Sequence, residues 1–144
     1  MPMTAPPTIR FFAAVPQFTV PDVVRAAEYY RDVLGFEIAG YWDGGRASMR
    51  TDPPPVFGIV RRDEVRVHFN RADKNAPVST GRAEGGLDAY FHITGVDALA
   101  ADLRARGADI LDGPEDRVYQ QREVVVRDCN GRVLAFGEDT SHRA

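Results

Sequence analysis

Apolar residues recur at helical spacing in two segments of the chain. In the first segment Asp22 is a good N-cap, Gly35 occupies the position of a left-handed C-terminal residue, and the apolar positions are Val23, Ala26, Ala27, Tyr30 and Leu34. The second segment starts near Thr94-Gly95 and ends at Gly107, with apolar positions Val96, Leu99, Ala100 and Leu103. The spacing predicts one α-helix in each segment.

Strand-like runs flank both predicted helices, one before each helix and three after it. The predicted strands are residues 15–20, 36–42, 56–60, 65–70, 88–93, 108–111, 123–127 and 132–137. The tetrapeptide Asp128-Cys129-Asn130-Gly131 predicts a tight hairpin turn between the last two. The order βαβββ therefore occurs twice, which indicates a duplicated fold. An unrelated α+β domain with similar halves by chance is the alternative.

Alternation along the strands separates an apolar face from a mixed one. The positions of one parity are all apolar: Phe18, Val20, Val65, Val67, Phe69, Ala89, Phe91, Ile93, Leu134 and Phe136. We expect this face to pack against the helices. The other parity mixes polar and aromatic residues, so two sheets curved toward each other would enclose a polar cleft with a few aromatics, as ligand sites have. A solvated sheet face is the alternative.

Composition and length favour a single globular domain without a nucleic-acid surface, an internal disulfide or a membrane span. The chain has 144 residues, which suits one structural domain, and a formal net charge of −3, which argues against a nucleic-acid surface. Its single cysteine allows no internal disulfide. No apolar run has the length of a membrane span and no signal peptide is evident, so we expect a cytoplasmic protein with no membrane partner.

Two stretches have the composition of loops. Residues 71–87 are rich in Pro, Ser, Gly and charge, which predicts a linker between a first module at 12–70 and a second at 88–138. Residues 43–55 contain Asp43-Gly44-Gly45 and three consecutive prolines, and predict a second long loop.

Several short motifs together carry a resemblance to a known family. They are Ala14-Val15-Pro16 with Val20-Pro21-Asp22, the run 29–36 (YYRDVLGF), Val96-Asp97-Ala98-Leu99 with 104–108 (RARGA), Arg122-Glu123-Val124, and the 128–131 turn. In this order the chain resembles the vicinal oxygen chelate superfamily, also called the glyoxalase/bleomycin resistance protein/dioxygenase superfamily. The resemblance implies an α+β fold of two βαβββ modules, with curved mixed sheets forming a cleft and helices on the outer face. It does not specify an activity.

The resemblance also implies where a metal would bind. Enzymes of the family hold a divalent metal at four positions, which here read Val15, His68, Asp88 and Ala135. Valine and alanine offer no ligand atom, and a catalytic zinc usually has three protein ligands. We therefore expect no metal and no cofactor.

The metal-free branch that the chain resembles includes bleomycin resistance proteins, which are bacterial homodimers that sequester a flat, bulky drug without chemistry. The resemblance implies a metal-independent homodimer that binds a planar or aromatic compound, an antibiotic being one candidate class. The alternative is a metal-dependent lyase, isomerase or dioxygenase of the same superfamily. A metal-free enzyme that uses His68 and Asp88 as an acid–base pair is a third possibility.

The candidate ligand-binding residues are those of the mixed parity and of the predicted cleft rim. They are Gln17, Trp42, Phe57, Arg66, His68, Asp88, Tyr90, His92 and Tyr119. Tyr90 and His92 would stack on the ligand and hydrogen-bond to it, although a structural polar cluster would look the same. Trp42, Phe57 and Tyr119 could equally be packing at the edge of the core. We predict no catalytic residue, and Cys129 is expected to be a spare thiol.

Overall fold

Each half of the chain forms one β-sheet with one helix packed against it. The computed structural model describes residues 5–72 and 86–143. In the first half the elements are β1 (Gln17–Val20), α1 (Val23–Asp32), β2 (Glu37–Trp42), β3 (Ala47–Ser48), β4 (Phe57–Arg62) and β5 (Val65–Arg71). In the second half they are β6 (Ala89–His92), α2 (Val96–Ala105), β7 (Asp109–Asp116), β8 (Gln121–Arg127) and β9 (Val133–Asp139). The predicted α+β fold with two βαβββ modules is confirmed, β3 being a short addition.

The two sheets share one strand order. The first sheet is ordered β1-β5-β4-β2-β3 and the second β6-β9-β8-β7. Strand β1 runs parallel to β5, and β6 runs parallel to β9, while every other pair is antiparallel. The first and last strands of each module are therefore neighbours, although they are far apart in the sequence.

The helix boundaries follow local chemistry. Asp22 caps α1 by accepting a hydrogen bond from the Arg25 backbone N–H at 3.1 Å. Gly35, two residues after the C-cap Val33, has a φ of 76°, which glycine adopts without a steric penalty. Helix α2 has no side-chain cap of its own; Glu138 Oε1 from β9 accepts from the backbone N–H groups of Gly95 and Val96, at 2.7 and 2.8 Å.

The apolar parity forms the core, as predicted. Seven of its members are buried: Phe18, Val20, Val67, Phe69, Phe91, Leu134 and Phe136. The remaining three, Val65, Ala89 and Ile93, are half-buried and pack against them. Tyr30 of α1 lies at the centre, with edge-to-face contacts to Phe36 and Phe69 at centroid distances of 5.5 and 5.0 Å. Burial of this face leaves the opposite face of each sheet without a helix.

Buried polar contacts join the two modules. The Tyr30 hydroxyl donates to Asp128 Oδ2 at 2.6 Å, and Arg132 Nη2 donates to the Thr19 carbonyl at 2.8 Å. The predicted 128–131 turn makes the first contact possible, because Asp128 Oδ1 also accepts from the backbone N–H groups of Asn130 and Arg132. The two halves therefore share a single core.

Two predicted loops or loop boundaries differ from expectation. The two-residue strand β3 lies inside the predicted loop 43–55. Strand β7 continues past the predicted end at residue 111, since register shifts accommodate Gly113 and Pro114 within it. Most of the predicted linker, residues 73–85, lies outside the described residues. Among the described residues, no helix has the length and apolar character needed to cross a membrane.

Candidate ligand-binding faces

The face of the first sheet opposite α1 carries polar and aromatic side chains; we call it the first open face. Strand register places nine residues on it: Gln17, Thr19, Trp42, Phe57, Ile59, Arg61, Arg66, His68 and Asn70. Gln17 is directly opposite His68, and Phe57 lies between Trp42 and Asn70 on neighbouring strands. Five predicted site residues, Gln17, Trp42, Phe57, Arg66 and His68, therefore lie on one surface.

A chain of hydrogen bonds orders the polar part of the first open face. Asn70 Nδ2 donates to Gln17 Oε1 at 3.2 Å, and Gln17 Nε2 lies 3.5 Å from His68 Nδ1. The Gln17 amide nitrogen can only donate, so this contact is a hydrogen bond in the His68 tautomer that has its proton on Nε2. His68 Nε2 is buried and has no hydrogen-bond partner among the described residues.

Three rings form a strip across the same face. The Phe57 and His68 rings meet edge to face with centroids 5.2 Å apart, and Trp42 is the cross-strand neighbour of Phe57. We call these residues the aromatic strip. Trp42 is 45% exposed, and burial together with Arg66 lowers the pKa of His68 below its usual 6.5. The strip is therefore uncharged at neutral pH and partly open to solvent.

The second open face is the helix-free face of the second sheet, and it includes Tyr90, His92, Gln121, Glu123 and Ala135. The Tyr90 hydroxyl donates to Gln121 Oε1 at 3.2 Å, and the Tyr90 and His92 rings lie 5.0 Å apart. Tyr90 lies over Gly137, where any added Cβ would overlap its hydroxyl. Burial and the neighbouring Glu123 carboxylate raise the pKa of Tyr90. Tyr90 is therefore a fixed hydrogen-bond donor.

A network of charges covers the part of the second open face near β7; we call it the Arg117–Glu123 network. Glu123 Oε1 accepts from the Tyr119 hydroxyl at 2.6 Å and from Arg117 Nε at 3.1 Å. Arg117 also contacts Asp112 at 2.6 Å and Glu115 at 3.2 Å. Burial works to raise the pKa of Glu123, but the hydroxyls of Tyr119 and Tyr90 and the Arg117 guanidinium outweigh it and lower the pKa below its usual value. Glu123 is therefore a buried, ion-paired carboxylate, 4% exposed.

A groove of about 720 Å³ brings together four of the predicted residues, while Tyr119 lies outside its lining, in the Arg117–Glu123 network. Its lining includes Arg66, Asp88, Tyr90 and His92, with residues 13–16 at one side. Asp88 Oδ2 accepts from the Val133 backbone N–H at 2.8 Å, so this carboxylate holds β6 against β9. Among the described residues, no hydrogen bond joins the side chains of the first open face to those of the second. The nine predicted residues thus form two surfaces and a groove, and their role in ligand binding stays a prediction.

The comparison with known proteins agrees with this architecture. Residues 13–136 match the family model of the Glyoxalase/Bleomycin resistance protein/Dioxygenase superfamily. The chain belongs to this superfamily. TioX from Micromonospora sp. ML1 has a similar structure, with a TM-score of 0.66 and 20% identity, over 87% of this chain and 96% of that one.

Two further relatives carry names that mention natural products. The bleomycin-binding protein of bleomycin-producing Streptomyces verticillus, solved with copper(II)-bleomycin, is 24% identical with a TM-score of 0.60, over 90% of this chain and 97% of that one. The anthracycline biosynthesis protein DauV of Streptomyces sp. (strain C5) is 25% identical over 122 residues, which is 80% of this chain and 42% of DauV. The chain thus spans less than half the length of that relative.

The superfamily positions for a metal do not form a cation site in this chain. Val15 and Ala135 have no donor atoms, and Ala135 is fully buried. Strand register places Gln17 beside His68 and Tyr90 beside Ala135, and neither an amide nor a protonated phenol is a usual ligand of a catalytic divalent metal. In residues 5–72 and 86–143, no group of three or more His, Cys, Asp or Glu side chains could hold a metal ion. The described residues at these positions do not fit a resident divalent metal.

Four residues of these faces are not among the predicted site residues: Asn70, Arg117, Gln121 and Glu123. Asn70 and Glu123 lay within predicted strands, and Asn70 already shared the parity of His68. Their partners depend on strand register, which alternation alone does not determine. Arg117 and Gln121 lay outside every predicted strand, in the region where β7 and β8 prove longer than expected.

Proposed function

We propose that this superfamily member is a metal-independent protein that binds a planar aromatic small molecule, an antibiotic being one candidate class. The observation that carries the proposal is the aromatic strip of Trp42, Phe57 and His68, which lies on a helix-free face beside the amides of Gln17 and Asn70. Ligand sites combine apolar and aromatic surface with a few placed polar groups. The exposed Trp42 ring would stack on the ligand plane, Phe57 and His68 would contact it, and the amides would hydrogen-bond to its edge.

We further propose that the chain acts as a homodimer. Within one chain, Arg66 of the first open face shares a groove with Tyr90 and His92 of the second, but the rings of the aromatic strip are not part of the lining of that groove. The strip would therefore gain a second wall from another copy. A second copy could place its second open face, with Tyr90 and His92, opposite the aromatic strip. A two-fold dimer would build this pairing twice. It would also cover free sheet edges, where the backbone N–H and C=O groups of the edge strand otherwise have no partner strand.

Tryptophan fluorescence tests the proposal directly, because Trp42 is the single tryptophan of the chain. The protein is titrated separately with copper(II)-bleomycin and with an anthracycline, the two compound classes suggested by the relatives' names. We expect at least one probe to quench Trp42 and to raise the melting temperature, since a ligand that binds only the folded state stabilises it.

Metal content and mass separate the alternatives. After dialysis, elemental analysis is expected to find far less than one divalent metal ion per chain; near one ion per chain would favour a metal-dependent enzyme instead. Sedimentation at micromolar concentration is expected to give twice the chain mass. If neither probe quenches Trp42 or shifts the melting curve, these two compound classes are removed as ligands.

A further inference from the structure

The polar groups beside the aromatic strip present mainly hydrogen-bond donors to a ligand. In the chain of hydrogen bonds on the first open face, the Gln17 oxygen accepts from Asn70, and His68 Nδ1 accepts from Gln17. These bonds therefore use the acceptor atoms of Gln17 and His68 within the protein. Each amide group has a second N–H, and in this tautomer the buried His68 Nε2 has a proton but no partner among the described residues.

Arg66 adds a positive charge beside these donors. It lies two residues before His68 on β5, on the same side of the strand, and it is exposed. Residues two apart on a strand are separated by about 6.5–7 Å, a distance that the flexible arginine side chain can span. His68 responds to this charge, because burial and Arg66 together lower its pKa. The charge of Arg66 therefore acts at the aromatic strip.

No ion pair neutralises the charge of Arg66. The other arginine of the first open face, Arg61, is the register partner of Arg66 on β4 and pairs with Glu37 at 3.4 Å. In residues 5–72 and 86–143, Arg66 has neither an ion-pair partner nor a hydrogen-bond partner for its side chain. Glu64 and Asp88 line the same groove as Arg66, but neither is within ion-pair distance of it. The described part of the first open face thus has a positive charge in excess.

We propose that the planar ligand of the first open face has a carboxylate at its edge and that the Arg66 guanidinium binds this carboxylate. The inference rests on the proposed function and names the class of aromatic ligand. One arginine can donate two parallel N–H bonds to a carboxylate, and such charge-assisted bonds are stronger than bonds between neutral groups. The ring system would lie on the exposed Trp42, while the free amide N–H groups of Gln17 and Asn70 would donate to its neutral oxygens.

The same arrangement disfavours a cationic ligand. A ligand ammonium would face the like charge of Arg66, and an N–H group cannot accept a hydrogen bond from it. Specificity depends on such unfavourable contacts as well as on favourable ones. A neutral analogue would keep its stacking on Trp42 but lose the attraction between charges. Anionic, neutral and cationic forms of one ring system therefore separate recognition by Arg66 from stacking.

Three anthraquinones that differ in one substituent test the inference. Anthraquinone-2-carboxylate is the anion, anthraquinone-2-carboxamide is the neutral analogue and 2-(aminomethyl)anthraquinone is the cation. Quenching of Trp42, corrected for absorption by the probe, gives each dissociation constant, and melting curves detect binding independently. We expect the carboxylate to bind about tenfold or more tightly than the carboxamide, because hydrogen bonds between charged groups contribute more than neutral ones. The cation should bind most weakly of the three.

Two arginine variants identify the residue responsible. Arg66→Gln removes the charge and keeps a polar side chain, so we expect it to remove most of the preference for the carboxylate over the carboxamide. Arg104→Gln is the matched control, because Arg104 is exposed on α2 and its replacement changes the net charge of the chain by the same amount. This control should keep the preference of the wild type. Melting curves without a probe establish that both variants fold.

Any of three results would overturn the inference. The first is a wild type that binds the carboxamide or the cation as tightly as the carboxylate. The second is a preference for the carboxylate that persists in Arg66→Gln. The third is a preference that is lost in Arg104→Gln as well, since overall charge and not Arg66 would then select the ligand.

Failure of the inference is distinguishable from failure of the proposed function. If the carboxylate is not preferred but another anthraquinone, copper(II)-bleomycin or an anthracycline quenches Trp42 or shifts the melting curve, only the inferred ligand class is wrong. If none of these probes does so, the inference fails together with the proposed binding of these aromatic compounds.

Discussion

The two open faces occupy equivalent positions in the two modules but use their side chains differently. On the first, the rings of Trp42, Phe57 and His68 lie beside two neutral amides, and Trp42 is partly open to solvent. On the second, Glu123 is buried under the Arg117–Glu123 network. The comparison shows how one duplicated fold can keep one face available for a ligand while the other stabilises its own sheet.

The largest expected effect tests whether the open faces are separate from the core. Phe91→Ala should destabilise the protein by about 3–5 kcal/mol, because a buried phenyl group leaves a cavity. Tyr90→Ala, at the neighbouring position on the opposite face, should cost less. Denaturant unfolding of both variants measures the difference. The assignment of faces would be inverted if Tyr90→Ala unfolded the protein and Phe91→Ala did not.

The next effect tests which face binds the ligand. Trp42→Ala should weaken binding of whichever probe shifts the melting curve by about tenfold or more, since stacking buries apolar area worth about 1.5–3 kcal/mol. Calorimetric titration measures it without fluorescence. Met49→Ala is the control, because Met49 is exposed near the same sheet edge but is not on the strip. Equal affinity in all three proteins would place the ligand elsewhere, with Tyr90 and His92 as the next candidates.

The third prediction concerns how much the polar side chains of each open face contribute to the free energy of unfolding. Glu123→Ala should lower the free energy of unfolding by about 1–3 kcal/mol, because it leaves Arg117 and Tyr119 without their buried partner. Gln17→Ala on the first open face should change it by no more than about 0.5 kcal/mol. Urea denaturation of the two variants is the measurement. A larger loss for Gln17→Ala would reverse the contrast drawn between the faces.

The smallest effect is a pH dependence that differs between the faces. The lowered pKa of His68 means that the unfolded chain binds its proton more readily, so stability falls as the pH drops below the usual 6.5 toward the lower pKa of the folded state. Glu123 also has a lowered pKa, but its contribution is present above the usual 4.5 and is lost only in more acidic solution. We therefore expect the free energy of unfolding, measured by urea denaturation between pH 7.5 and 5.5, to depend less on pH in His68→Gln than in the wild type. In Glu123→Gln the dependence over this range should be unchanged.

Features that depend on burial or on local backbone geometry could be predicted from the sequence, whereas features that depend on strand register could not. Alternation identified the core because burial of Phe18, Phe91 and Phe136 dominates the energy of these strands. The caps at Asp22 and Gly35 were predictable since they depend on local backbone geometry. The chain of hydrogen bonds through Asn70, Gln17 and His68 was not predictable, because it depends on the parallel register of two strands whose paired residues are 51 positions apart. Nor was the full length of β7, since Gly113 and Pro114 are typical of turns and here lie within a bulged strand.

The parallel pairing of β1 with β5 also means that β1 is synthesised well before the strand it pairs with. Gln17 emerges from the ribosome 51 residues before His68, its partner in the sheet. At about 5–20 residues per second, the first strand waits roughly 3–10 seconds for the strand that completes its sheet. During that interval Phe18 and Val20 lack Phe69 and Arg71, their partners on β5. We therefore expect chaperones to bind this chain while its first module is incomplete. The exposure of Phe18 and Val20 ends when β5, the last strand of that module to be synthesised, pairs with β1.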